Sequence, residues 1–233
     1  MHGFGTTNYN VAAELGRFGR LAPLLRLFEN RPIEQLRLDQ AISAVASESG
    51  QAVLVVSGAL RCVIMLADGR RAVTRFVYPG EVLDLSAETI GPCLVEAAAP
   101  TRVTRIGHSA IEYSSRDSPQ IRSFVSRMRR NEVASAHDYM LLLACKTAQE
   151  RVCSFLLDFM SRNEMKPQND IRLELPMCRR DIADHLGLTT ETVSRTFTKL
   201  IQRGALRLEN CVGRKTIIIK QRGLLVRLAA CDP

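Results

Sequence analysis

This 233-residue chain has no tryptophan, and aromatic residues make up only 5% of it. Its hydrophobic content, 46%, is therefore mostly aliphatic and normal for a globular protein. No run of about 18 apolar residues occurs, which excludes a membrane-spanning helix as an expectation. The opening MHGFGTTNYNVAAELGRFGR lacks the charged-then-apolar order of a secretion signal, so a cytoplasmic protein is expected. The seven cysteines fall at 62, 93, 145, 153, 178, 211 and 231. None forms a CxxC pair and the count is odd, which argues against a disulfide framework and a zinc site. No phosphate loop, Cys/His pairing or carboxylate pair stands out, so an enzyme is not expected.

What is present is positive charge. The net charge is +8 with a pI near 9.4. From Lys146 onward there are 16 basic and 10 acidic residues, a surplus of 16 − 10 = 6 in the last third. Such a basic third suits a polyanion, because neutralising phosphates supplies most non-specific DNA affinity.

That third contains RRDIADHLGLTTETVSRTFTKLI, Arg179–Ile201. Ile182, Ala183 and Leu186 share one helical face, and Gly187 can stop that helix in a left-handed turn. Thr189 can cap a second helix, with Glu191 in its first turn where a carboxylate suits the dipole. Val193, Phe197, Leu200 and Ile201 form its apolar stripe. Thr190, Glu191, Ser194, Arg195, Thr198 and Lys199 form its polar face. A short helix, a tight turn and a second helix bearing arginine are the build of a helix-turn-helix that enters the major groove. Double-stranded DNA is the expected partner.

The run from Asp181 to Arg195 resembles the DNA-binding signature of the CRP/FNR family of bacterial transcription regulators. Glu191, Ser194 and Arg195 match the FNR/FixK branch more closely than the CRP branch. The resemblance implies an α+β protein with four parts: an N-terminal arm and helix (1–32), a cyclic-nucleotide-type β-roll (33–117), a dimerisation helix (118–145) and a winged helix-turn-helix (146–233). It also implies a homodimer that binds a TTGA–TCAA palindrome and recruits or blocks RNA polymerase.

The rest of the chain fits that outline. Leu15, Phe18, Leu21, Leu24, Leu25 and Phe28 suit a leading helix over about Ala12–Leu27, ended by Pro32. Short apolar runs at Ala52–Val56, Ala59–Leu66, Ala72–Tyr78, Val82–Leu85, Leu94–Ala98 and Arg102–Ile106 read as strands. Asp68-Gly69 is a hairpin signal between two of them. Ser118–Ala144 reads as a long helix with Pro119 in its first turn. Ile121, Val125, Met128, Tyr139 and Leu143 have the 4,3 spacing of a coiled-coil seam, interrupted by Glu132 and Ser135. Arg127, Arg129 and Arg130 read as its solvated flank. Lys146–Arg162 is an amphipathic helix. Arg172–Pro176 is a short strand, and Leu206–Leu208 with Thr216–Ile219 is a hairpin turning at Glu209-Asn210 or Val212-Gly213. Leu224–Ala229 is a terminal helix.

The roll departs from cyclic-nucleotide binders. Gly80-Glu81 matches only the start of their motif, and Asp84-Leu85 stands at the second Gly-Glu position. Gly91-Pro92-Cys93-Leu94 replaces the phosphate segment. No arginine lies between Arg75 and Arg102, and a buried phosphate without a cation is unfavourable. Ala136-His137 stands where those binders carry a Thr-Ser pair. An iron–sulfur cluster of the FNR kind needs about four thiolates, yet residues 1–61 hold no cysteine. His108 and His137 are nominal haem ligands, though solvated or capping roles are commoner. No cofactor or metal is therefore expected; the alternative is a sensor with an unidentified effector in the roll.

In the helix-turn-helix, Arg195 is expected to read guanine, Glu191 cytosine and Ser194 a neighbouring base. Arg179, Thr190, Thr192 and Lys199 are expected at phosphates. Cys178 opens the first helix beside Arg179-Arg180, a setting that favours thiolate chemistry and makes it a candidate redox switch. Cys145, Cys153 and Cys211 sit among core-facing neighbours and read as structural.

Overall fold

The computed structural model describes residues 22–42, 50–86, 91–163, 165, 170–211 and 214–230. The chain forms two compact units, Met1–Glu132 and Val133–Pro233. Their boundary falls inside the long helix, so each half of that helix belongs to a different unit.

In the first unit, helix α1 (Ala22–Phe28) precedes strands β1 (Ile33–Leu36), β2 (Gln51–Ser57), β3 (Leu60–Met65), β4 (Arg71–Val77), β5 (Val82–Asp84), β6 (Leu94–Ala97) and β7 (Thr101–Gly107). They make two antiparallel sheets, ordered β1-β7-β2-β5 and β4-β3-β6. Strand β2 is buried along Ala52–Val56 rather than on alternate residues. The reason is that both its faces are covered. Val53 and Val55 enter a core with Leu60, Cys62, Val77, Leu83, Val95 and Val103. Ala52, Leu54 and Val56 face Leu24, Phe28, Ile106 and Phe124.

Within that first core Arg61 is buried, with 7% side-chain exposure, and bonded to Glu96 at 2.7 Å and Asp39 at 2.5 Å. Arg75 on β4 is ion-paired with Glu132 of the long helix. Burial pushes the Cys62 thiol up to about 11.

Helix α2 (His108–Asp117) and the 27-residue helix α3 (Pro119–Cys145) follow. The second unit continues with α4 (Ala148–Arg162), β8 (Ile171–Glu174), α5 (Arg179–Leu186), α6 (Thr190–Gln202), β9 (Leu206–Cys211), β10 (Arg214–Ile219) and α7 (Arg222–Ala229). Thr147 opens α4 with a capping box: its hydroxyl accepts from Glu150 N–H, and the Glu150 carboxylate accepts from Thr147 N–H. Val152, Phe155, Leu156 and Phe159 are buried on α4, as its amphipathic pattern requires. The antiparallel sheet β8-β10-β9 supplies the wing.

Several expectations need correction. Strand β1 and helix α2 were not legible; α2 has no fully buried residue, and only Ile111 packs on the core. Helix α1 ends at Phe28, before Pro32, where Asn30 takes φ 58°; residues 12–21 of the expected leading helix lie outside the described residues. Strand β9 runs through Glu209 and Asn210, so the hairpin does not turn there. Val212-Gly213 lie outside the described residues. Cys145 is exposed rather than core-facing, while Cys153 is buried. Cys211 and Cys231 have no described side chain.

Four of the residues expected in a seam on α3 also make contacts within the chain. Ile121 and Met128 pack against the cluster of Leu54, Val56 and Phe124 inside their own unit. Tyr139 donates to the carbonyl of His185, and Leu143 lies beside Gly187 in its unit. Ile121, Val125, Met128, Tyr139 and Leu143 are each half-buried, so part of every one of these side chains stays open to solvent. The apolar residues left outside are Val133, Met140 and Leu141, at 73%, 60% and 50% exposure. Val133 and Met140 sit roughly 100–120° around the helix from the expected seam.

The turn between β2 and β3 rests on Gly58, at φ 82°. A Cβ there would meet the Pro100 carbonyl oxygen at 2.5 Å and Thr101 Cα at 2.8 Å, both backbone. Gly69, at φ 84° in the β3–β4 hairpin, has nothing within 4 Å. Gly69→Ala should therefore cost only the left-handed penalty, about 1 kcal/mol. Gly58→Ala adds a backbone clash and should cost about 3 kcal/mol or more. Urea unfolding of both variants checks this, and equal losses would contradict it.

Candidate nucleic-acid interface

Helices α5 and α6 meet at the turn the sequence predicts. Gly187 takes φ 61° and ψ 38°, and Leu188 N–H closes on the Ala183 carbonyl at 3.0 Å. That pattern satisfies a helix-end carbonyl while reversing the chain. Thr189 caps α6: its hydroxyl oxygen accepts from Thr192 N–H at 3.1 Å and lies 2.8 Å from the Thr192 hydroxyl. Ile182, Ala183, Leu186, Val193, Phe197 and Leu200 are buried at 2% exposure or less, which fixes α6 on its support. Thr196 is also buried, its hydroxyl donating to the Thr192 carbonyl, an inward position the periodicity did not reveal.

The opposite face of α6 carries Glu191, Ser194, Arg195, Thr198 and Lys199 around one open, shallow concavity. Arg195 Nη2 donates to Glu191 Oε1 at 2.6 Å, and both side chains are more than 70% exposed. In solvent such a pair adds little stability. Its effect is on orientation: Glu191 holds one edge of the guanidinium and leaves other N–H groups pointing outward. Five donors in a planar fork suffice for both tasks. Ser194 Oγ donates to the Thr190 carbonyl at 2.9 Å, so its free capacity toward a ligand is as acceptor. Thr198 donates to the Ser194 carbonyl in the same way.

The structure thus brings Glu191, Ser194, Arg195 and Lys199 together. Thr190 is exposed at the N-terminal end of α6, and Thr192 is half-exposed. Arg179 stands apart. Its guanidinium lies 3.4 Å over the Phe197 ring centroid, and burial draws its pKa down to about 10, still charged at neutral pH. Stacking on Phe197 uses the face of the guanidinium and leaves its N–H donors, which lie in its plane, at its edges.

Cys178 precedes α5 and is exposed. Its Sγ–H donates to Asp181 Oδ2 at 3.3 Å, and its N–H points to the same oxygen. The nearest charged partner is therefore a carboxylate rather than the following arginines. Thr198 is the one further side chain in the concavity that had been placed on the polar face without a role. Its i+4 spacing from Ser194 was the available signal.

In the roll, the positions that correspond to nucleotide ligands are occupied by internal contacts. The Glu81 carboxylate accepts from Tyr78 N–H at 3.1 Å. Asp84 lies 2.8 Å from His108 Nε2. Among the described residues, no group of three or more His, Cys, Asp or Glu side chains could hold a metal ion. No described helix is long and apolar enough to cross a membrane.

Comparison with known proteins agrees with this geometry. Residues 150–228 match the Crp-like helix-turn-helix domain. The nitrogen fixation regulation protein FixK of Azorhizobium caulinodans is 35% identical over 176 residues, 75% of this chain and 70% of that protein. The transcriptional activator protein FnrA of Stutzerimonas stutzeri is 34% identical over 172 residues, covering 73% of this chain and 69% of that one. The structure of FixK2 from Bradyrhizobium japonicum superposes with a TM-score of 0.74 at 34% identity, over 87% of this chain and 99% of that chain.

Proposed function

Because this chain belongs to the CRP/FNR family of DNA-binding transcription regulators, on its FixK-like side, we propose that it binds TTGA–TCAA palindromes as a homodimer. It does so in the cytoplasm, without a cyclic nucleotide or iron–sulfur cluster, and acts on RNA polymerase at the promoters it occupies. The observation that carries this reading is the α6 face, where the Glu191–Arg195 pair is held ready beside Ser194. Arg195 donates two parallel bonds to guanine O6 and N7. The remaining Glu191 oxygen accepts from cytosine N4, and Ser194 accepts from, or packs against, the adjacent base. Arg179, Lys199, Thr190 and Thr192 contact phosphates and set register.

Dimer formation falls to the outward face of α3. Val133, Met140 and Leu141 are the large apolar residues it exposes, and a second copy of the same helix matches them by symmetry. Independence from a nucleotide is supported by the lack of any arginine between Arg75 and Arg102 and by the pairing of Arg75 with Glu132.

Redox control is assigned to Cys178, exposed and one residue before Arg179-Arg180. Peroxide converts its thiol to a sulfenic acid with release of water, and the Asp181 contact then loses its S–H donor. The added bulk at the start of α5 weakens DNA binding.

Three outcomes are expected. Arg195→Ala loses about 1–3 kcal/mol of operator binding and relaxes preference at the guanine, whereas Lys199→Ala weakens all sequences alike and lowers the salt slope by about one. Fluorescence anisotropy on substituted operators separates the two, and an unchanged guanine preference in Arg195→Ala would overturn the readout. Val133→Asp and Met140→Glu sediment as folded monomers, while Met128→Glu destabilises the roll instead; a dimeric Val133→Asp/Met140→Glu protein would refute the outward seam. Cys178→Ser binds operator and resists peroxide; loss of binding at the wild-type rate would remove the switch.

A further inference from the structure

Three main-chain carbonyls, from two helix ends and the link between α3 and α4, converge on one guanidinium. Arg151, in the first turns of α4, donates from Nε to the Lys146 carbonyl at 2.8 Å, from Nη1 to Leu186 at 2.9 Å and from Nη2 to Leu143 at 2.9 Å. Leu143 lies in the last turn of α3, and Leu186 is the last residue of α5. Lys146 is one of only two residues between α3 and α4.

The last four carbonyls of a helix have no partner within it and carry the negative end of its dipole. Two such ends brought together repel unless a cation with several donors lies between them. Arg151 meets that need with a planar fork that a lysine ammonium cannot reproduce.

A second bond acts in parallel. Tyr139 on α3 donates its hydroxyl to the His185 carbonyl at 2.6 Å. Its ring stacks on the His185 imidazole at 4.9 Å and 10°, while Phe155 meets the same imidazole edge-on at 5.9 Å. The final two carbonyls of α5 are thus both held by side chains from outside the helix-turn-helix, one on α3 and one on α4.

We propose that Arg151 and Tyr139 are positioning residues for DNA recognition. They clasp the helix-turn-helix to the C-terminal part of α3 and so set the distance between the two recognition helices of the dimer. The clasp selects operators by half-site spacing without touching a base. This rests on the dimer reading given above.

The test uses the full-length protein and palindromic duplexes whose spacer changes one base pair at a time. Wild type, Arg151→Lys, Arg151→Gln and Tyr139→Phe are compared by anisotropy, with sedimentation and thermal melting on the same samples. Wild type has one preferred spacing, with neighbouring spacings at least about tenfold weaker. In Arg151→Lys and Tyr139→Phe that preference flattens to about twofold or less, while binding to a duplex carrying one half-site is unchanged. Tyr139→Phe keeps the ring stack and removes only the hydroxyl, so it remains informative if the Arg151 variants fold poorly. A dimeric wild type whose spacing profile is kept by folded variants, whatever their melting temperature, overturns the proposal. A monomeric wild type overturns the dimer reading, and the proposal falls with it.

Discussion

The geometry of recognition depends on how the C-terminal end of α5 is finished. Gly187 leaves the helix in a left-handed conformation, which a side chain would resist by about 1–2 kcal/mol. That turn directs α6 back across α5, so Val193, Phe197 and Leu200 are buried and Glu191, Ser194 and Arg195 face outward. The freed carbonyls of His185 and Leu186 are then taken by Tyr139 and Arg151. One helix end therefore connects the DNA-reading surface to the helix on which it is mounted.

Apolar surface on α3 divides between two tasks in the same economical way. Its inward stripe, with Ile121, Phe124 and Met128, closes the outer face of the β2–β7 sheet. That coverage is why β2 is an unbroken apolar run instead of an alternating strand. A different stripe, marked by Val133 and Met140, remains outside. In the roll, the acidic residues Glu81 and Asp84 are engaged within the chain.

Much of this was legible in the sequence. Alternating apolar runs and turn residues located β2 to β7, and the helix, glycine turn and capped helix of Arg179–Ile201 were read directly. Glu191, Ser194 and Arg195, proposed to read bases, follow from i, i+3 and i+4 spacing, and the structure gathers them on one face. Other features were hidden for physical reasons. Helical periodicity marks an apolar stripe but not whether the same chain or another one covers it, so the intrachain contacts of Tyr139 and Leu143 were not readable from it. Helix α2 lacks a buried stripe and leaves no periodic signal. Arg151 acts on backbone carbonyls, which carry no residue identity, so nothing in the pattern points to its partners. The ring beneath Arg179 is 18 residues away in sequence, at Phe197.

The most direct measurement is the affinity of ligand-free wild-type protein for a TTGA–TCAA palindrome against the same duplex with both halves scrambled, at one fixed salt concentration. The account predicts two chains per duplex and at least about 10³-fold preference for the palindrome. Equal binding to both duplexes, or discrimination that emerges only when a small molecule or cell extract is added, would contradict it.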